Sequence, residues 1–148
     1  MMRFCAAITL YNPTLCEINS LRAYALFFDA LYICDNTEGD SDFGVLDLVS
    51  EFRNISLVSS GYNHGLSKGL NLLCDYASSK NFDFVCLLDQ DTEFCVDEIK
   101  MMFAFIDGFD CEDVAIFCPK ILYSHEPRTQ TNECLFDSVD WAITSGTF

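Results

Sequence analysis

Phe84-Val85-Cys86-Leu87-Leu88-Asp89-Gln90-Asp91 is the stretch whose reading decides the fold. Five consecutive apolar residues switch at once to two carboxylates two residues apart. An apolar run of this length, in a strand predicted over residues 82–88, reads as covered on both faces, which is the habit of parallel sheets. The acids then mark its carboxyl end. Two carboxylates there suit a shared oxygen-ligated cation, Mg²⁺ or Mn²⁺, with coordination positions left for phosphate oxygens. The plainer alternative is an acidic turn that ends the strand and faces water. Asp-x-Asp alone does not separate the two.

Working outward, the same punctuation repeats. Phe4–Leu10 reads as a buried first strand, and residues 31–34, 55–58 and 114–117 as further strands. Between them lie amphipathic stretches predicted as helices over 14–28, 43–52, 66–77 and 96–106. Thr14 and Glu17 form a capping box at the start of the first. Asp97 and Glu98 sit in the first turn of the last, where the helix dipole favours acids. Beyond Pro119 the pattern loosens into a polar excursion over 124–133 and one more candidate strand over 139–144. Such alternation predicts right-handed crossovers and an α/β fold: a mainly parallel twisted sheet with helices on both faces. No repeat, low-complexity tract or linker interrupts it, so residues 1–148 read as a single domain.

Composition narrows the partners. With 23 acidic against 8 basic residues and a net charge of −15, the general surface repels nucleic acid and anionic lipid. An anionic ligand can still be held locally by backbone amides, a helix N-terminus or a bound cation. Apolar runs stop at strand length, well short of the roughly 18 residues that span a bilayer. The first strand runs into Tyr11-Asn12-Pro13 without the small residues of a signal cleavage site. None of the nine cysteines forms a Cys-x-x-Cys pair, which gives no support to a zinc or redox site. Free thiols in the reducing cytoplasm are the expectation.

In parallel α/β sheets, ligands bind beyond the carboxyl ends of the strands, where strand order reverses. The polar residues falling there are Thr9, Tyr11 and Asn12, then Asp35 and Asn36, then Asn63, His64 and Gly65, then Asp89 and Asp91. Each group has a local explanation as well. Asp35 suits an Asx turn ahead of residues 37–42. Asn63 suits a helix N-cap followed by a permissive glycine. His64 reads as a solvent-exposed loop histidine and is assigned no catalytic role. Convergence of all four groups on one edge carries more weight than any one of them.

In order and spacing, Ile8-Thr9-Leu10-Tyr11-Asn12-Pro13, Ile33-Cys34-Asp35-Asn36, Asn63-His64-Gly65-Leu66 with Asn71, and Leu87-Leu88-Asp89-Gln90-Asp91 resemble family 2 glycosyltransferases of the GT-A fold. With Thr144-Ser145-Gly146 further on, the pattern is most similar to the bacterial rhamnosyltransferase branch. The resemblance implies inverting transfer of a sugar, rhamnose among the candidates, from a dTDP- or UDP-linked donor to a glycan or lipid-linked acceptor hydroxyl in cell-surface polysaccharide synthesis. It implies that Thr9, Tyr11 and Asn12 line the nucleotide pocket, with Asp35 and Asn36 at the base. Asn63 and Gly65 would shape the donor pocket, Asp89 would lie near ribose or sugar, and Asp91, with Asp89, would hold Mn²⁺ or Mg²⁺. A lipid-linked acceptor would bring the protein to the inner membrane face.

Three departures qualify this. Thr37-Glu38 stand where family members carry a small residue, and Lys68 replaces a small residue. The acceptor-side carboxylate that serves as base in the family lies beyond the serine-glycine segment, and no residue here matches it. The sequence therefore reads as the N-terminal part of a longer pattern. A non-catalytic nucleotide- and metal-binding domain is the alternative, and exposed apolar surface left uncovered would favour homo-oligomers. A phosphohydrolase with an aspartyl nucleophile expects threonine or valine where Glu93 stands. A nucleotidyltransferase expects a basic, glycine-rich loop after the first strand.

Overall fold

The computed structural model describes residues 2–39, 43–91, 96–108 and 117. The chain divides into two compact units, Met1–Phe109 and Asp110–Phe148. The strands expected over 114–117 and 139–144, and the segment Thr144-Ser145-Gly146, lie outside the described residues apart from Phe117.

The elements alternate without exception: β1 (Phe4–Leu10), α1 (Leu15–Tyr24), β2 (Ala30–Glu38), α2 (Phe43–Glu51), β3 (Ile55–Gly61), α3 (Leu66–Ser79), β4 (Phe84–Leu88) and α4 (Val96–Gly108). All strand pairs are parallel, in the order β3-β2-β1-β4. From β1 to β3 the chain steps in one direction, then doubles back across β2 and β1 to β4. Crossovers of one hand must then put α1 and α2 on one face and α3 on the other. The packing agrees: α1 and α2 touch each other, and α3 lies against β1 and β2. Leu73 and Ala77 of α3 cover Cys5 and Ala7 of β1 and Ala30, Tyr32 and Cys34 of β2. On the opposite side of the pleat, Phe4 stacks on Phe103 of α4 at 4.2 Å, with Phe28 edge-on to the same ring at 5.2 Å. Helices therefore clothe both faces, which is why β1 reads as a continuous apolar run. Among the described residues no helix is long and apolar enough to cross a membrane.

Helix α1 starts as expected. The Thr14 hydroxyl accepts from the Glu17 amide at 3.4 Å, and the Glu17 carboxylate accepts from the Thr14 amide. That bond holds the Glu17 carboxyl below its ordinary range. The Thr14→Ala variant should lose about 1 kcal/mol in denaturant unfolding at neutral pH. The bond that depresses the Glu17 pKa comes from a backbone amide that the variant keeps, so its contribution, present above the unfolded Glu17 pKa and fading as pH falls, should be common to both proteins and the difference between them should persist in acid.

Helix α1 ends earlier than the sequence suggests, at Tyr24 rather than near residue 28. Asn54 explains the stop: its amide donates to the carbonyls of Ala25 at 2.7 Å and Phe28 at 3.1 Å. Carbonyls at a helix end need outside donors, and here a residue 29 positions away supplies one. β2 and β3 run further than expected, to Glu38 and Gly61. Their polar ends still find backbone partners across the sheet, with Leu10 opposite Asp35 and Glu38 opposite Gly61. β4 begins at Phe84, since Phe82 packs edge-on to Tyr32 and the Asp83 amide turns to the Arg3 carbonyl.

Cys5, Cys16, Cys34, Cys74 and Cys86 are free thiols. Burial pushes Cys5 up to about 12 and Cys86 up to about 11. A thiol reagent at neutral pH should therefore label exposed Cys16 well before Cys5 or Cys34. Raised folded-state values also set a sign. Stability is complete below the unfolded thiol pKa of about 8.5 and is lost as pH rises beyond it, because the unfolded chain ionises first. Denaturant midpoints should fall between neutral pH and strongly alkaline buffer.

Candidate functional site at the carboxyl ends of the strands

The strand order reverses at β1, and in sheets of this kind the crevice beyond the carboxyl end at such a point is where ligands bind. Leaving β1, the Tyr11 amide donates to the Gln90 side-chain oxygen at 2.7 Å, and the Gln90 amide returns a bond to the Tyr11 carbonyl at 3.3 Å. One residue later, the Asn12 amide donates to the Thr37 hydroxyl at 2.9 Å. Asn12 adopts φ of 46°, a left-handed conformation that asparagine tolerates better than most residues. The ends of β4, β1 and β2 are thus clasped through backbone groups. Gln90 and Thr37 make the clasp, and neither is among the candidate site residues that the sequence indicates. The signal for Gln90 was its position: between two acids, a neutral amide offers both the donor and the acceptor that reciprocal pairing needs.

Asp35 is fully buried. One carboxylate oxygen accepts from the Thr37 amide at 2.9 Å, the Asx-turn bond that the sequence allowed. The other, Oδ2, is buried and finds no hydrogen-bond partner among the described residues. Asn36, the next residue and on the other side of the pleat, is committed. Its Oδ1 accepts from the His64 amide at 3.1 Å and lies 3.6 Å from the Cys34 thiol. Asn36 therefore fastens the β3–α3 loop.

His64 is not the free loop histidine that the sequence suggested. Its Nε2 lies 2.9 Å from the Ser59 hydroxyl, and its ring meets Tyr62 edge-on at 4.9 Å. Tethering follows from the Asn36 bond, which draws the loop onto β2. Asn63 is not the helix cap either. Its Oδ1 accepts from the Gly65 amide at 2.8 Å, while Gly65 itself is the N-cap, at φ of 74° and with no side-chain cap bond. That conformation favours glycine, and the opening amides of α3 are left without a side-chain cap.

Thr9 takes a different place from its predicted neighbours. It shares the α3 face with Cys5 and Ala7, where a Cβ on Gly69 would come within 3.1 Å of its hydroxyl. The Thr9 hydroxyl is buried and unpartnered among the described residues. By strand alternation Asp35 faces the opposite side of the sheet. The structure thus gathers Tyr11, Asn12, Thr37 and Gln90 into one cluster and Asn36, Asn63, His64 and Gly65 into another. Thr9 lies under α3.

The acids after β4 are half-buried Asp89 and exposed Asp91. No group of three or more potential metal ligands is assembled among the described residues. Two carboxylates flanking an engaged glutamine still fit a hard cation that completes its shell with water and phosphate oxygens, as Mg²⁺ commonly does.

The family model for glycosyl transferase family 2 matches residues 18–139, most of the chain. The chain belongs to glycosyltransferase family 2. The match runs from within α1 and takes in Asp35, Asn36, Asn63, Gly65, Asp89 and Asp91, whereas β1 with Thr9, Tyr11 and Asn12 precedes it. It is to the family as a whole and singles out no branch. No curated protein and no solved structure matches the chain. For a family 2 glycosyltransferase, the parallel sheet with helices on both faces is the expected GT-A-type frame, and sugar transfer from a nucleotide sugar to an acceptor is the general activity.

Proposed function

We propose that this family 2 glycosyltransferase domain binds a dTDP- or UDP-sugar beyond the carboxyl ends of β1, β2 and β4, and passes the sugar, rhamnose being one candidate, to a hydroxyl acceptor with inversion. The observation that carries the reading is Asp35. A buried carboxylate oxygen without a hydrogen bond is costly to keep. A ring N–H or ribose hydroxyl of a nucleoside would supply the missing donor. Tyr11, half exposed where β1 ends, offers a ring face to the base, with Asn12 held beside it by Thr37. Asn63 and Gly65 shape the start of α3, whose uncapped amides favour phosphate.

Asp91, with Asp89 beside it, would hold Mn²⁺ or Mg²⁺. The chemistry such an ion supplies there is neutralisation of charge on the departing diphosphate. Thr9 and Asn36 set the sheet and loop in place behind the donor. The acceptor hydroxyl attacks the anomeric carbon from the side opposite the nucleoside diphosphate, and its proton passes to a base that no described residue is assigned to provide. With a lipid-linked glycan as acceptor, the reaction would take place at the cytoplasmic membrane face.

Calorimetric titration of dTDP and UDP, with Mn²⁺, with Mg²⁺ and with chelator, tests the reading. Metal-enhanced binding is expected, and the preferred base narrows the donor. If neither nucleotide binds under any condition, the reading fails. Binding without transfer to any glycan acceptor would leave a nucleotide-binding domain instead.

A further inference from the structure

The chain has only eight lysines and arginines against 23 acids. Three of the eight, Arg3, Arg53 and Lys80, line one open cleft of about 420 Å³. Each immediately precedes a strand or lies a few residues before one, so the cleft sits at the amino ends of the sheet, away from the donor site. Tyr32, Ser56 and Phe82 form part of its wall.

Basic side chains in so acidic a protein have many carboxylates to pair with. Arg22 does so with Glu51 at 2.9 Å, and Lys100 lies 3.9 Å from Asp97. Arg3, Arg53 and Lys80 have no carboxylate within ion-pair distance among the described residues. Two of them are nevertheless held in place. Arg3 donates from Nη1 to the carbonyls of Lys80 at 3.2 Å and Asn81 at 3.4 Å, and its guanidinium lies 4.3 Å over the Phe82 ring. The Lys80 ammonium lies 5.0 Å from the Tyr76 ring. Asp29, the acid in the lining, accepts from the Phe4 amide at 2.9 Å, and nearby Asp83 accepts from the Arg3 amide at 2.7 Å. Three cations against the carboxylates of Asp29 and neighbouring Asp83 leave the cleft with a small local excess of positive charge on a negative molecule.

Gathering like charges on a concave surface is unfavourable unless an anion completes it. Guanidinium and ammonium groups on a pocket of small-molecule size suit a phosphate dianion, which accepts several charge-assisted hydrogen bonds at once. We propose that this cleft is a second, metal-independent binding site for a phosphomonoester, carried by a soluble metabolite or by a lipid headgroup. It does not rest on the nucleotide reading.

The test titrates the whole chain with inorganic phosphate and with glycerol phosphate, in chelator and at low salt. Flotation with phosphatidylcholine vesicles, with and without phosphatidic acid, forms the second arm. Binding should weaken at least about tenfold in an Arg53→Ala/Lys80→Ala double variant, weaken as salt rises, and persist in Asp91→Ala. Circular dichroism checks that the double variant is folded, and the single charge reversal Arg53→Glu gives the same readout should it not be. Binding of glycerol phosphate assigns a soluble ligand, and binding confined to phosphatidic acid vesicles assigns a headgroup. Absence of binding in both arms, or equal affinity in wild type and variants, overturns the proposal. Loss of UDP or dTDP binding elsewhere has no bearing on it.

Discussion

Asp91→Ala is expected to weaken UDP or dTDP binding in Mn²⁺ by about 100-fold, the scale of several kcal/mol that a metal ion contributes to phosphate charge. Binding in chelator should be unchanged, because without the ion the carboxylate has nothing to hold. Asp91 is exposed and Gln90 is already engaged with Tyr11, so the substitution leaves the clasp between β1 and β4 in place. Asp35→Asn makes the contrast. It keeps an oxygen for the Thr37 amide but replaces the unpartnered carboxylate oxygen with a donor, so nucleotide affinity should fall with and without metal. Calorimetry on the two variants separates the contributions. An Asp91→Ala protein that binds nucleotide like the wild type in Mn²⁺ would reduce Asp89-Gln90-Asp91 to an acidic turn.

Leu73→Ala should cost about 2–5 kcal/mol in denaturant unfolding, the usual range for emptying a leucine site in a packed interior. Leu73 is fully buried between α3 and the strands, among Cys5, Ala7, Ala30, Tyr32 and Cys34. Those neighbours are small or held in the sheet, so they have little freedom to fill the space. The helix is brought this close by Gly69, one turn earlier, where an added Cβ would meet the Thr9 hydroxyl at 3.1 Å and the Cys34 thiol at 3.3 Å. Nucleotide affinity under native conditions should change little by comparison, since Leu73 lies away from the carboxyl ends. A loss well below 1 kcal/mol would mean that α3 is not seated on the sheet as described.

The amino-acid sequence alone was enough for the alternation of strands and helices, the parallel sheet and the capping box at Thr14, because each rests on periodicity or on contacts a few residues apart. It also placed Asp91 just past β4, because there the apolar run and the strand stop together, whereas β2 and β3 continue through polar residues to Glu38 and Gly61 and carry Asp35 inside the strand. The family could be reached the same way, through four short motifs in order.

Bonds between residues distant along the chain were a different matter. Gln90 reaches Tyr11 across 79 positions, Thr37 reaches Asn12 across 25, and His64 is drawn to Asn36 across 28. Which of these meet depends on the order β3-β2-β1-β4 and on which face each crossover takes. Strand alternation then parted Thr9 from Asp35, and strand order brought Arg3, Arg53 and Lys80 to one cleft. Local patterning specifies the elements because their stabilising contacts are local. The partners of Gln90, Asn36 and Arg3 exist only once the chain has folded back on itself, so no window of sequence contains them.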